Sequence, residues 1–369
     1  MTEQVREQGR ERVGERERVA VIVPNYNKTK TLRACLESVF AQTYRPAEVI
    51  VVDDASTDGS LEIARSFPCT IVELPGNRGP AAARNIGVAR STAPLLFFLD
   101  SDTALAPDAL ENAIQVFRDT PDCGMVQGIY DKEPLFDDGP VEAYRIAFEH
   151  FDRRHSAATF LSCTLMPRTI FDAAGGLDER LRDGEDFEFG TRLPAGRRPV
   201  VAENVLTKAD DVDRFWACLW ERFVRASTLP VIFMRARRLR RDDDATGSPL
   251  DMIGPARHNK RRPPRISSTL SVLILCTLPA SVFVPWLLPV PLVLFAGFVA
   301  VNTAFFRFCY RLRGGRFALF VVGMQLCYHA SFFLGAGAGL LRVGYELLRR
   351  QGDPVETGLR RASSAGARE

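Results

Sequence analysis

The chain is 369 residues long, with 48 Lys and Arg against 45 Asp and Glu and a formal net charge of +3. So small an excess excludes a nucleic-acid binder that works through bulk charge, and the length admits one substantial soluble domain with something further attached. Eight cysteines with no C-x-x-C pair give no zinc site and are expected to be free, reduced thiols.

Residues 1–18 are rich in Arg, Glu and Gln and have no apolar centre. They do not read as a signal peptide and are expected to be a charged, disordered tail. Residues 19–23 are a short apolar, β-branched run ending at Pro24, which reads as a buried strand. Helical spacing follows over 31–42 through Leu32, Cys35, Leu36, Val39 and Phe40. A second strand, 49–52, stops at Asp53-Asp54, then come a helix over 60–67 and a third strand over 70–73. The stretch 79–90 predicts a helix with small residues on one face, and 94–99 a fourth strand ending at Asp100. Strand alternating with helix predicts an α/β fold whose mostly parallel sheet has helices on both faces.

Beyond that the pattern is mixed. Strands are expected over 124–130 and 158–165, and a helix over 141–151. A longer helical stretch, 211–239, carries Trp216, Trp220 and Phe223, is interrupted near Pro230, and ends in a basic cluster over 235–241. Three apolar segments follow, 269–288, 289–306 and 317–341. The first and third suffice for a spanning helix of about 20 residues. The second contains Asn302, and a hairpin dipping into one leaflet is its alternative. Lys260, Arg261, Arg262 and Arg265 before the first segment, and Arg307, Arg311, Arg313 and Arg316 after the second, favour a cytoplasmic placement of both flanks. A third span would leave Arg342, Arg349, Arg350, Arg360 and Arg361 on the far side, against that trend. The expected organisation is therefore a tail (1–18), a catalytic domain (19–240), a basic interfacial linker (241–268), a transmembrane region (269–341) and a polar tail (342–369).

Acidic residues recur where the expected strands end: Asp53 and Asp54 after the second, Asp100 and Asp102 after the fourth. Ligands of open α/β sheets bind outside the carboxyl ends of the strands, so these four carboxylates should share one rim. Like charges gather only around a cation or hydrogen-bond donors. The Asp100-Ser101-Asp102 sequence suits a divalent ion held by hard oxygens, although alone it reads more readily as a turn.

Five segments occur in order: Pro24-Asn25-Tyr26-Asn27; Val51 to Ser60 with Asp53-Asp54; Asn77 to Asn85 with Arg84; Leu99-Asp100-Ser101-Asp102; and Gly184-Glu185-Asp186. The series closely resembles family 2 glycosyltransferases of the GT-A fold over roughly 19–225. The resemblance implies that Pro24 and Tyr26 line the nucleoside pocket, that Asp54 bonds the base, and that Arg84 faces the donor. Asp102 becomes the main ligand of Mn2+ or Mg2+, supported by Asp100. Asp186, with Glu185 beside it, becomes the general base. Glu188 is its nearest rival, and a helix cap is the plainer role for Asp186. Gly175-Gly176-Leu177-Asp178 also matches and suits a tight turn near the acceptor. Many relatives place a His after the next strand. Here Lys208 stands in that area, able to meet a diphosphate but not to ligate a metal while protonated. Arg222 and Arg225 share a helix with Trp216 and Trp220, and either meet a lipid-linked phosphate or simply pack.

The resemblance implies inverting transfer from a nucleotide-sugar, UDP-type favoured. The apolar segments suggest a membrane-associated acceptor such as a polyprenyl phosphate or lipid-linked glycan, and with their basic flanks an inner (plasma) membrane location with the catalytic domain cytoplasmic; the small net charge leaves no nucleic-acid partner expected. A metal-dependent sugar nucleotidyltransferase is the rival enzyme, although Pro24-Asn25-Tyr26-Asn27 is not the Gly-rich basic loop it would want. A non-catalytic scaffold of the same fold is the other rival.

Overall fold

The computed structural model describes residues 17–154, 159–242 and 264–351. Most of the two tails and of the basic linker lies outside them, including Lys260, Arg261, Arg262, Arg360 and Arg361. The chain divides into two compact units, Met1–Tyr130 with Thr159–Ala209, and Asp131–Ala158 with Asp210–Glu369.

The first unit is built on β1 (Val19–Asn25), α1 (Leu32–Phe40), β2 (Glu48–Asp53), α2 (Ser60–Arg65), β3 (Thr70–Glu73), α3 (Pro80–Arg90), β4 (Leu95–Leu99), β5 (Thr103–Leu105), α4 (Ala109–Asp119) and β6 (Cys123–Tyr130). The second unit's α5 (Pro140–Arg153) intervenes before β7 (Cys163–Pro167), α6 (Arg168–Ala173), α7 (Glu185–Gly190) and β8 (Arg198–Ala209). The sheet order is β3-β2-β1-β4-β7-β6-β8-β5. The pairs β3-β2, β2-β1, β1-β4 and β6-β8 are parallel, while β7 runs antiparallel to β4 and β6, and β5 to β8. The strand expected from residue 158 begins only at Cys163.

Because side chains alternate along a strand, β1 feeds two cores. Val19, Val21 and Val23 meet Leu32, Leu36 and Val39 of α1. Ala20 and Ile22 meet Ala81 and Val88 of α3. A strand covered on both faces must be apolar at every position, which explains its unbroken run. The small face of α3 lets it approach closely: a Cβ on Gly87 would lie 2.5 Å from Cγ2 of Ile22.

The second unit comprises α5, α8 (Phe215–Asp242), α9 (Pro264–Phe283) and α10 (Pro289–Gln351), with a short 3-10 turn at Pro285–Leu287. The apolar segments expected at 289–306 and 317–341 form one helical run broken at Gly314, whose φ of 80° favours glycine. The first apolar helix starts at Pro264, a residue suited to an opening turn, and ends before the turn at Pro285. Among the described residues, two helices are long and apolar enough to cross a membrane, Ile266–Phe283 and Pro285–Tyr345.

In this unit Tyr144 and Ala147 of α5 are buried with Phe305, Cys309, Val321 and Tyr328 of α10. A polar chain threads the apolar helices: Tyr144 Oη donates to Gln325 Oε1 (2.6 Å), Gln325 meets His329 (2.9 Å), and His329 meets Ser268 (3.2 Å). Helices α8 and α10 touch at backbone distance, since a Cβ on Gly335 would strike the Phe223 carbonyl and one on Gly339 the Ser227 carbonyl. Small residues four apart permit such an approach.

Candidate active site

Parallel pairing of β2, β1 and β4 sets their carboxyl ends on one edge of the sheet. Asn25, Asp53 and Asp54 stand at two of those ends, and Asp100 and Asp102 follow the third. Asp53 accepts from Asn25 Nδ2 (2.8 Å) and from the Ser56 N–H (3.0 Å). Asp54 accepts the N–H groups of Arg78 (2.6 Å) and Gly79 (2.7 Å), so both its oxygens brace the loop entering α3. A carboxylate has about four lone-pair sites, which leaves acceptor capacity towards a base. Between these residues Ala55 adopts φ 63°, a left-handed conformation unusual without a glycine. Pro24 is partly buried and Tyr26 exposed.

Arg84 is the hub. Its guanidinium is buried and spans two carboxylates, Asp100 Oδ1 at 2.6 Å and Glu185 Oε1 at 2.6 Å, while its Nε is buried without a partner. It thereby ties the D-x-D turn to the Gly184-Glu185-Asp186 segment. Burial would lower its pKa, but Asp100 and Glu185 raise it above the ordinary arginine value. Asp102 receives a different cation, Lys28 Nζ, at 2.7 Å.

Glu185 and Asp186 open α7 after Gly184, which has φ 75°. Among the described residues the one hydrogen bond to the Asp186 carboxylate comes from the Phe187 N–H (2.7 Å). Burial, then the negative charge of Glu185, pushes Asp186 up to about 7, against the opposing pull of Arg84. Glu188 is placed otherwise: it is buried and held by Arg192 through both oxygens, at 2.8 and 2.7 Å. Its lone pairs are directed at a fixed guanidinium. Burial, then Asp102 and Asp100, pushes the Cys35 thiol far up, which keeps it from acting as a thiolate.

Three contributors carried no role in the sequence reading. Lys28 directly follows Pro24-Asn25-Tyr26-Asn27, so its position was visible but its partner was not. Asn85 accepts the Leu177 N–H and donates to the Leu177 carbonyl, both at 2.9 Å, fixing the Gly175-Gly176 turn to α3. Arg192 neutralises the rival carboxylate. Lys208 lies on β8 opposite Ala104 and is exposed. Arg222 and Arg225 belong to the second unit. Arg222 lies over the rings of Tyr328 (4.7 Å) and Phe332 (4.6 Å), and Arg225 pairs with Glu221 at 2.8 Å.

Asp100 and Asp102 supply hard carboxylate oxygens, and the Lys28 ammonium marks a position where Asp102 accepts a cation. A small divalent ion needs one or two such carboxylates together with phosphate oxygens and water, so the donor set fits Mg2+ or Mn2+. Among the described residues, three carboxylates close enough to share an ion lie elsewhere, in the second unit: Asp138, Glu142 and Asp210, with ligand atoms within 4.8 Å of one another. There Glu142 is buried, accepts the Asp138 N–H at 2.8 Å, and is raised to about 7 chiefly by burial.

Residues 20–174 match the family model Glycosyl transferase family 2. An uncharacterized glycosyltransferase of Haemophilus influenzae is 31% identical over 182 residues, covering 47% of this chain and 61% of that protein. Glycosyltransferase AglE of Haloferax volcanii is 38% identical over 109 residues, 28% of this chain and 36% of that protein. The chain thus spans about three fifths or less of these curated relatives. In fold it is similar to a solved structure, mannosyltransferase PcManGT from Pyrobaculum calidifontis in complex with GDP-Man and Mn2+. The TM-score is 0.54 at 22% identity, covering 88% of each chain. Residues 20–174 are thus similar to family 2 glycosyltransferases, and the sheet with its carboxylate-bearing edge is similar in fold to the mannosyltransferase structure.

Proposed function

We propose that this protein transfers one sugar, with inversion, from a nucleoside-diphosphate sugar to an acceptor hydroxyl or phosphate at a membrane surface. The observation that carries this reading is Arg84, which joins the D-x-D turn to the base-bearing segment through two ion pairs of 2.6 Å. Pro24 and Tyr26 flank the nucleoside, and Asp54 meets its base. Uridine and guanosine diphosphate sugars both present the carbonyl and N–H groups such a site reads. Asp102, supported by Asp100, would hold a divalent ion, Mn2+ or Mg2+, which when bound would supply positive charge to the diphosphate. Lys208 serves that same diphosphate as a point charge.

The acceptor oxygen attacks the anomeric carbon from the face opposite the diphosphate. The new C–O bond forms as the old one breaks and the electron pair leaves with the diphosphate; where the acceptor is a hydroxyl its proton passes to Asp186, whereas a phosphate acceptor attacks through an oxygen that is already ionised. A carboxylate poised near 7 is matched to that task at neutral pH. One displacement inverts the anomeric centre.

The two apolar helices support a membrane-resident acceptor, a polyprenyl phosphate or lipid-linked glycan, with the catalytic unit on the cytoplasmic face of the inner membrane. Exposed Trp216 and Trp220, with the exposed Arg225 on the same helix, suit its headgroup region, whereas Arg222 packs on the rings of Tyr328 and Phe332. The test is transfer from a panel of radiolabelled nucleotide-sugars to extracted membrane lipid. Asp186→Asn should abolish product while leaving donor binding intact, and normal turnover by that variant would refute the assignment.

A further inference from the structure

Each carboxylate of the D-x-D turn already faces a cation, and the two cations are built differently. Arg84 holds Asp100 from a side chain only 6% exposed that is also committed to buried Glu185. It cannot leave without stranding that carboxylate in a dry site. Lys28 holds Asp102 at 2.7 Å from a side chain 39% exposed. Its ammonium sits on a flexible stem and gives up little when it returns to water.

A divalent ion bound to Asp102 would meet the Lys28 ammonium at close range, and the two positive charges repel. We propose that Lys28 is an exchangeable counter-ion of the metal site. It occupies Asp102 while donor is absent, yields to the incoming divalent ion, and turns its ammonium to the donor's diphosphate. This rests on the reading of Asp102 as the metal ligand. Metal and nucleotide then bind synergistically, because the diphosphate removes the competitor of the ion. Linkage requires the ion to strengthen nucleotide binding by the same factor.

The experiment is Mn2+ binding to the full chain in detergent, followed by electron paramagnetic resonance, with and without UDP or GDP; no turnover is needed. Without nucleotide, Lys28→Met should bind Mn2+ about fivefold more tightly than the wild type, the scale of one part-exposed ion pair. The tightening that nucleotide confers on the wild type should shrink in this variant. Lys28→Arg, which keeps the charge, should stay near the wild type, and Asp102→Asn should lose the ion. Equal or weaker Mn2+ binding by Lys28→Met, with loss in Asp102→Asn, overturns the role of Lys28 alone. Binding that ignores Asp102→Asn overturns the metal reading and this inference with it.

Discussion

Replacing Arg84 by Met tests the hub directly. The substitution keeps much of the side-chain volume but leaves Glu185, 8% exposed, as a buried carboxylate without its counter-ion. Breaking a buried pair from one side costs about 3–5 kcal/mol. Asp100 adds less, because at 29% exposure water takes up part of its charge. The three tryptophans, Trp216, Trp220 and Trp286, all lie in the second unit, so their fluorescence would not report this loss. Hydrogen exchange of the β1 and β4 amides would. At about 1.4 kcal/mol per tenfold, exchange from the globally opened state should quicken by roughly two to nearly four orders of magnitude. Adding Glu185→Gln to Arg84→Met should recover more than half of the loss, because a neutral amide carries no stranded charge. Protection in Arg84→Met within a factor of about 5 of the wild type, near 1 kcal/mol, would refute the buried-hub argument. So would a double variant no better than the single one.

Asp186 makes two predictions through its elevated pKa, about 7. If it is the base, log kcat/KM should climb with unit slope below pH 7 and level off above it, and the profile of a Glu188→Gln variant should keep that shape. Because the folded pKa lies above the ordinary carboxylate value, the folded state holds the proton more tightly. The associated stability is present at low pH and lost as pH rises through about 7. Asp186→Asn should therefore be inactive yet melt higher than the wild type at pH 8, in a thermal scan of the full chain in detergent. Gly335→Leu drives a side chain into the Phe223 carbonyl and should destabilise the α8–α10 contact by about 1–3 kcal/mol, seen as faster exchange confined to those helices. Asn85→Ala should loosen the Gly175-Gly176 turn, raising KM for the acceptor more than for the donor.

The strands that carry the site were legible because a doubly covered strand leaves an unbroken apolar signature, and acids at its end are conspicuous. Asp53, Asp54, Asp100 and Asp102 fall at strand ends for that reason. What the sequence withheld was pairing. Nothing local distinguishes Glu188 from Asp186; the difference is Arg192 one helical turn later, whose bidentate grip needs coordinates to see. Likewise Arg84 reads as a cation near a phosphate until Glu185, 101 residues away, is found on its other nitrogen. The bend of α10 was obscured because Gly314-Gly315 sits among arginines that read as a loop between two spans.

Helix α5 lies in sequence between two strands of the catalytic sheet, yet its apolar side is covered by α10, more than 150 residues downstream. A shortened form of this protein made by stopping the chain near residue 240 would bare Tyr144, Ala147 and Phe148 to water and orphan the Tyr144 hydroxyl from Gln325. Such a fragment should aggregate although every proposed catalytic residue is intact. Ribosomal synthesis meets the same problem, because α5 emerges long before its cover exists. The apolar side of α5 is covered only once α10 has been made.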